Sequence, residues 1–465
     1  MENFRLPGSL FEAALHCLLA VMVVTSVSTL WAAGADIAEL ITRADQGDAE
    51  AQYRLGIMYS AGEGVEKDLA EAAKWVRRVA EQGYAAAQYV LGLMYNAGDG
   101  VPKDLVEALN WYRKAAEQGY PVAQYALALM HDTGDGVPKD LAAAAAWYHK
   151  AAEQGHVDAQ YRLGFMYAAG EGVQQDSAKA AQWVHRVAEQ GYAAAQYVLG
   201  LMYSKGDGVP KDLAEAAKWY GKAAEQGSIE AQYNLGLMYD TGNGVPKDSA
   251  KAAVWYRKAA EQGYVRAQYN LGVMHNLGDG VRKDLAEAAS WYGQAADQGD
   301  AKAQYNLGLL YAAGEGVRKD SANAAECYRK AAEQGHAKAQ GCLAFMYYTG
   351  AGVRKDPAEA AKWMHQLAEQ GDASAQYNLG VMYERGKGVR KDLAEAVKWY
   401  GQAAEQGDTK AQYNLGVMCE RGQGIPKDLA QAVKWYHKAA EQGHAKAQHN
   451  LSVLSKRGGG APGNQ

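Results

Sequence analysis

Apolar and polar positions follow one another along this chain in a pattern that predicts helices in pairs. Between Asp48 and Ser60, Ala51, Leu55 and Met58 fall at i, i+4 and i+7, one face of a helix, with Tyr53 and Tyr59 flanking the stripe. Gly62 and Gly64 break it, glycine supplying the left-handed residue that closes a helix. Val65 is apolar in every copy (Ile425 in the last), which predicts a loop that turns one side chain inward. Asp68 then offers a short acceptor that caps a second helix, and Glu71 three residues on completes a capping-box pattern. Ala72, Trp75, Val76 and Val79 share one face of that helix, which runs to about Gln82. Arg77 and Arg78 stand near its end, where they oppose the negative pole of the helix dipole.

Gly83 restarts the same text, and so does every 36th residue down to Gly443, without insertion or deletion. Residues 47–442 hold eleven copies; residues 36–46 resemble the second half of one. Residues 443–457 form a terminal first helix with His449 for Tyr and Ser452 for Gly, the polar drift of an end cap. The remainder, 458–465, reads GGGAPGNQ and predicts a disordered tail. A fixed period of this size marks a solenoid, here all-α and built of helix–loop–helix repeats. Gly56 sits mid-helix, where glycine costs about 1 kcal/mol against alanine. It recurs in nine of twelve copies and yields only to Ala128, Ala344 and Ser452, so helices must approach closely there. Residues 76–105 and 184–213 are nearly identical and three repeats apart, which points to growth by block duplication.

Composition narrows the partners. Forty-eight Lys and Arg stand against 53 Asp and Glu, a net charge of −5, without the basic excess of a nucleic-acid binder. The apolar run Ala13 to Trp31, with Arg5 before it and Ala33-Gly34-Ala35 after, predicts a signal peptide over 1–35 and export. An uncleaved anchor is the alternative, and this segment is the one membrane contact expected. Cys327, Cys342 and Cys419 then remain, an odd count that makes no disulfide framework. Cys327 and Cys342 lie on consecutive helices, so a pair and two free thiols both stay open.

Residues 227–262 carry Ala231, Leu235, Gly236, Met238 and Tyr239, then Gly242, Gly244, Val245, Lys247 and Asp248, then Trp255, Tyr256, Lys258 and Gln262. This text resembles the Sel-one-like repeat family, a branch of the tetratricopeptide-like α/α solenoids, from about Ile37 to Ser455. The resemblance implies a right-handed superhelix that acts as an adaptor or scaffold, commonly in bacterial envelopes or in host-facing roles. Departures are local: Cys327 for Trp, Gln175 for Lys, His131 and His275 for Tyr, Val76 and Val184 for the second aromatic.

Some cysteine-rich secreted members of that family are linked to β-lactam chemistry, which makes a cell-wall or β-lactam-directed hydrolase one alternative. The repeats hold no Ser-x-x-Lys; Asp176-Ser177-Ala178-Lys179 has the wrong spacing, and the regular cysteines are absent. His149, His185, His365 and His437 occupy one repeat position, about 10 Å apart in neighbouring units at helix-packing distance. Joint ligation needs metal–nitrogen bonds near 2 Å, so they read as solvated surface. The loops Asp132-Thr133-Gly134-Asp135-Gly136 and Gly206-Asp207-Gly208 lack the carboxylates of an EF-hand and the Gly-Lys-Ser/Thr of a phosphate loop. No cofactor, metal or catalytic residue is predicted.

What varies between copies is a stripe on the first helix. Three residues in, the later copies read Arg266, Lys302, Lys338, Ser374, Lys410 and Lys446, where earlier ones have Glu50, Ala86, Val122, Asp158, Ala194 and Glu230. Four residues further, on the same face, come Asn234, Asn270, Asn306, Cys342, Asn378 and Asn414, after Arg54, Val90, Ala126, Arg162 and Val198. First helices line the concave side of tetratricopeptide-like superhelices. By that analogy the stripe is a groove floor, with Asn for a peptide backbone and Lys for acidic groups. Block duplication also makes neighbours alike without selection for binding. The sequence thus predicts a non-catalytic protein-interaction scaffold, exported to the envelope or beyond, that takes a protein or peptide partner. A cytosolic adaptor with a signal-like first helix is the second alternative.

Overall fold

The computed structural model describes residues 37–458 and places twenty-four α-helices among them, with no strand among the described residues. The leader expected at 1–35 and the tail beyond Gly458 lie outside the described residues. A short helix α1 (Ile37–Asp45) is followed by α2 (Ala49–Ala61) and α3 (Leu69–Glu81), the pair that every later copy repeats. First helices are thus even-numbered and second helices odd. Those used below are α14 (Val265–Leu277), α15 (Leu285–Asp297), α16 (Ala301–Ala313), α17 (Ser321–Glu333), α18 (Ala337–Thr349) and α24 (Ala445–Gly458). The chain divides into two compact units, Met1–Ser228 and Ile229–Gln465. Within each, every helix packs on the helices before and after it, as in an α/α solenoid.

The caps form largely as the residues predict. Asp48 accepts from the backbone N–H of Glu50 and Ala51, and Gly62 closes α2 at φ 76° with its N–H on the Met58 carbonyl. Asp68 accepts from Ala70 and Glu71, but the reciprocal half of the capping box is not made. The Asp68 N–H donates instead to the Tyr59 carbonyl at 2.9 Å, and Glu71 pairs with Lys74. Because that bond uses only backbone of the Tyr59 position, His131, His275 and Cys419 can stand there: Asp140, Asp284 and Asp428 bond to their carbonyls. The loop valines are half-buried against the core, as expected of Val101, Val281 and Val317. The loop glycine before each has a second task. Gly316 lies at φ +70°, and a Cβ on it would stand 2.1 Å from the carbonyl oxygen of Leu285 in the preceding repeat. Only glycine lets these backbones touch.

The mid-helix glycine is a packing seam between the two helices of one repeat. A Cβ at Gly308 would meet the Tyr328 ring at 2.7 Å, and one at Gly92 would meet Tyr112 at 2.6 Å. Tyr112, Tyr148, Tyr256, Tyr292, Tyr400 and Tyr436 are among the most completely buried side chains of the molecule. A second, polar seam links repeats. Gln304 is only 4% exposed. Its Nε2 donates to the Ala296 carbonyl at the end of α15, and its Oε1 accepts from Gln334 Nε2 of its own repeat at 2.9 Å. Gln52, Gln88, Gln124, Gln160, Gln196, Gln268, Gln340, Gln376 and Gln412 make the same two bonds, so one amide pins three helices in each copy. The three cysteines of the array are free thiols.

The buried phenols tie the fold to pH. Burial pushes the hydroxyls of Tyr89, Tyr125, Tyr161 and Tyr292 up to about 12. Unfolded tyrosine ionises near pH 10, so folding favours the neutral phenol. The resulting stability is complete below about pH 10 and disappears as the pH rises through about 12. In an alkaline titration the buried phenolates should form together with the loss of helical circular dichroism. Full phenol ionisation near pH 10 with helix content unchanged would contradict this packing.

Candidate interaction face

Each first helix turns its i, i+4 and i+7 positions to one side. In the second unit that side begins with a cation in five of the seven described first helices, Glu230 and Ser374 being the exceptions. Arg266, Lys302, Lys338, Lys410 and Lys446 are all exposed, and among the described residues none of them makes an ion pair. Among the described residues most cations on the second helices are engaged, exposed Lys434 being an exception. Lys362 and Lys398 pair with Glu359 and Glu395 one turn back, Arg329 pairs with Glu326, and Lys258 lies 4.1 Å over the Trp255 ring. Positive charge on the first-helix side is therefore left for solvent or for a partner.

The asparagines divide by environment. Asn270 stands beside the Tyr256 hydroxyl of the preceding repeat and counters the rise that burial gives that phenol. Asn306 does the same for Tyr269 and Tyr292, and Asn414 for Tyr377 and Tyr400. Asn234 is half-buried, while Asn378 is exposed. The drift at this position follows the second helix of the copy before it. Val90 and Val198 share hydrophobic clusters with Val76 and Val184, whereas Arg162 holds Asp132 through two bonds of 2.9 and 3.0 Å. Asp132 in turn accepts from Tyr148 at 3.2 Å. In these copies a phenol in one repeat meets a polar neighbour in the next, and a valine meets a valine. The match is partial: Ala126 follows Tyr112, whose buried hydroxyl has no hydrogen bond, and Asn378 follows Met364.

Three of the predicted residues meet in one place. Lys302, Asn306 and Lys338 line a recess of about 280 Å3 together with Tyr269, Tyr305, His336 and Ala337. The His336 ring stacks on Tyr305, centroids 4.8 Å apart, and its Nδ1 accepts the Ala339 N–H at 3.2 Å, capping α18. Burial holds this imidazole below its ordinary pKa, and the Lys338 and Lys302 charges push the same way. Asp300, the acid nearest by, spends its Oδ1 on the Ala303 N–H at 2.7 Å. Lys410 stands 6.0 Å over the Tyr377 ring, beside Asn414, in the same relation one block later. Arg266 and Lys446 stay outside the recess.

Sequence reasoning passed over the aromatic lining and the apolar residues beyond it. Leu309 and Phe345, seven residues after Lys302 and Lys338, are 41% and 64% exposed. In the first unit the corresponding Leu93 is buried at 7%. Burial pushes the Cys327 thiol up to about 11 and raises Cys342 and Cys419, the reverse of an activated nucleophile. His149, His185 and His365 pack edge-on against Trp183, Trp219 and Trp399 of the next repeat. No group of three or more His, Cys, Asp or Glu able to hold a metal ion is present among the described residues.

Helix pairs of constant length, joined through a glycine–tyrosine seam and a glutamine seam, define a repeat scaffold of the tetratricopeptide-like class. The Sel1 repeat profile matches eleven consecutive copies, from 49–84 to 409–444, and the chain belongs to the Sel1 repeat family. Its fold is similar to that of c5321, a protective antigen present in uropathogenic Escherichia coli strains. That likeness has 39% identity over 91% of each chain and a TM-score of 0.72. A Sel1 repeat protein from Oxalobacter formigenes is 38% identical over 69% of this chain and 92% of its own, with a TM-score of 0.53. Comparison with curated proteins gives no match. Sel1 repeat proteins are in general protein-interaction scaffolds.

Proposed function

We propose that this chain is an exported, non-catalytic scaffold that binds a partner protein or peptide along the first-helix face of its second unit. The observation that carries the reading is the row of exposed first-helix cations without ion pairs, set beside second-helix cations most of which are paired or stacked. Paired surface charges contribute little to recognition; unpaired ones of one sign steer and orient an oppositely charged partner. The thiols, pushed up by burial, are no activated nucleophiles, and His149 and His185 are spent on Trp183 and Trp219 and on Glu153 and Glu189. Export rests on the apolar run Ala13 to Trp31 with Ala33-Gly34-Ala35, and on the likeness to a protective antigen.

Affinity capture from an envelope extract tests it, with the full chain run beside a variant carrying Lys302→Glu, Lys338→Glu, Lys410→Glu and Lys446→Glu. A partner held by the parent and lost by the variant is the expected result. A partner held equally by both would move the site off this face, and no partner for either would count against the scaffold reading itself.

A further inference from the structure

We propose that the recess between α16 and α18 is a carboxylate-binding subsite, and that the occupant of this face is a partner segment mixing acidic and large apolar side chains. The inference rests on the scaffold reading and specifies the partner's chemistry. Two ammonium groups, Lys302 and Lys338, border one recess with the Asn306 side chain between them in sequence, and neither has an ion pair among the described residues. The recess of about 280 Å3 is smaller than a typical drug-sized ligand pocket. An Asp or Glu side chain fits within it, its two oxygens accepting from both lysines. The acid closest to it, Asp300, is turned to its own helix as a cap.

The apolar half of the partner follows from what lies further along the same helices. From Lys302 to Leu309 and from Lys338 to Phe345 is seven residues, two helical turns or about 10 Å along the axis. Each of these two first helices thus presents a cation and then an uncovered apolar side chain on one side. In α14 the corresponding residue, Val273, is half-buried against the core, and Leu277, at 67% exposure, lies one turn further on. Exposed large apolar residues in a row, next to unpaired charge, mark a protein-contact surface. The first unit lacks both features: Ala86 replaces the lysine and Leu93 is buried. A peptide is favoured over an anionic bilayer because the stacked Tyr305 and His336 rings and the Asn306 amide border the same shallow recess as the lysines, a mix of ring faces and amide that suits a side chain with its backbone.

Fluorescence anisotropy on the full chain tests the inference with two labelled pools of twelve-residue peptides. One pool mixes Glu with Leu and Phe; the other has Gln for every Glu. The acidic pool should bind at least about tenfold more tightly than the neutral one, and more weakly as salt rises. Lys302→Glu with Lys338→Glu should remove at least about tenfold of that affinity, and Leu309→Ser with Phe345→Ala should remove a comparable part. The Lys302→Arg, Lys338→Arg variant should retain binding, which separates lost charge from lost fold.

Equal binding of both pools, or full retention by the double Glu variant, overturns the subsite. So does Lys302- and Lys338-dependent binding to phosphatidylserine vesicles without peptide binding, or self-association lost in the same variant, since these assign the face to a membrane or a second copy. If neither pool binds while the capture experiment still yields a partner, the subsite falls and the scaffold reading stands.

Discussion

Gly308→Val should lower the stability of the second unit by about 3 kcal/mol, the upper part of the range for overpacked cores. The reason is local and geometric. A single Cβ already meets the Tyr328 ring at 2.7 Å, and Tyr328 is itself only 3% exposed, so the ring has no empty space to enter. The array contains its own control. Within their own repeats Ala128 packs in one buried cluster with Tyr148, and Ala344 occurs where Met364 replaces the tyrosine, so the seam can be built around one added methyl. Gly308→Ala should therefore destabilise clearly less than Gly308→Val, and the double change Gly308→Ala with Tyr328→Met should recover much of the loss. Urea unfolding read by circular dichroism gives the size, and hydrogen exchange on 301–333 shows whether the weakness is local. Additive losses in the double variant would mean that the two positions do not share a seam.

Gln304→Glu should cost about as much or more, on the order of 3–5 kcal/mol, because it leaves a buried charge without a partner. The present amide donates to the Ala296 carbonyl; a carboxylate would instead face that oxygen with no proton to give. Gln304→Leu removes the bonds without adding charge and should cost less, about 1–3 kcal/mol. Gln448 supplies the comparison: it makes the equivalent bond to Ala440 from an exposed position at the end of the array. Gln448→Glu should be nearly silent. Equal effects at 304 and 448 would show that burial of the amide is not what matters.

Much of the architecture was legible before any coordinates. The 36-residue restart fixed helix number and length, Asp68 and Gly62 marked the ends, and the glycine at Gly308 announced a close approach. The glutamine seam was not legible, although Gln52 and Gln82 recur in nearly every copy. A reading by apolar stripes assigns glutamine to solvent, and the carbonyl that satisfies it belongs to the previous repeat. The same limit applied to the face. Periodicity puts Lys302, Asn306 and Leu309 on one side of α16, and the structure agrees. That Asn306 stands beside Tyr292, and that Leu309 is uncovered while Leu93 is buried, depends on neighbours outside the helix being read. Capping failed in one respect for the same reason: Tyr59 offers its carbonyl from across the loop, and Glu71 is left free to pair with Lys74.

The central claim is that a partner touches the first-helix face of the second unit. Site-specific photo-crosslinking tests it most directly, with a photoreactive residue placed at Leu309 or Phe345 and, for comparison, at Gln366 on an exposed second-helix surface. The account predicts one discrete cross-linked species from 309 and 345, absent from 366 and suppressed by Lys302→Glu with Lys338→Glu. A discrete species from 366 with none from 309 or 345 would contradict it.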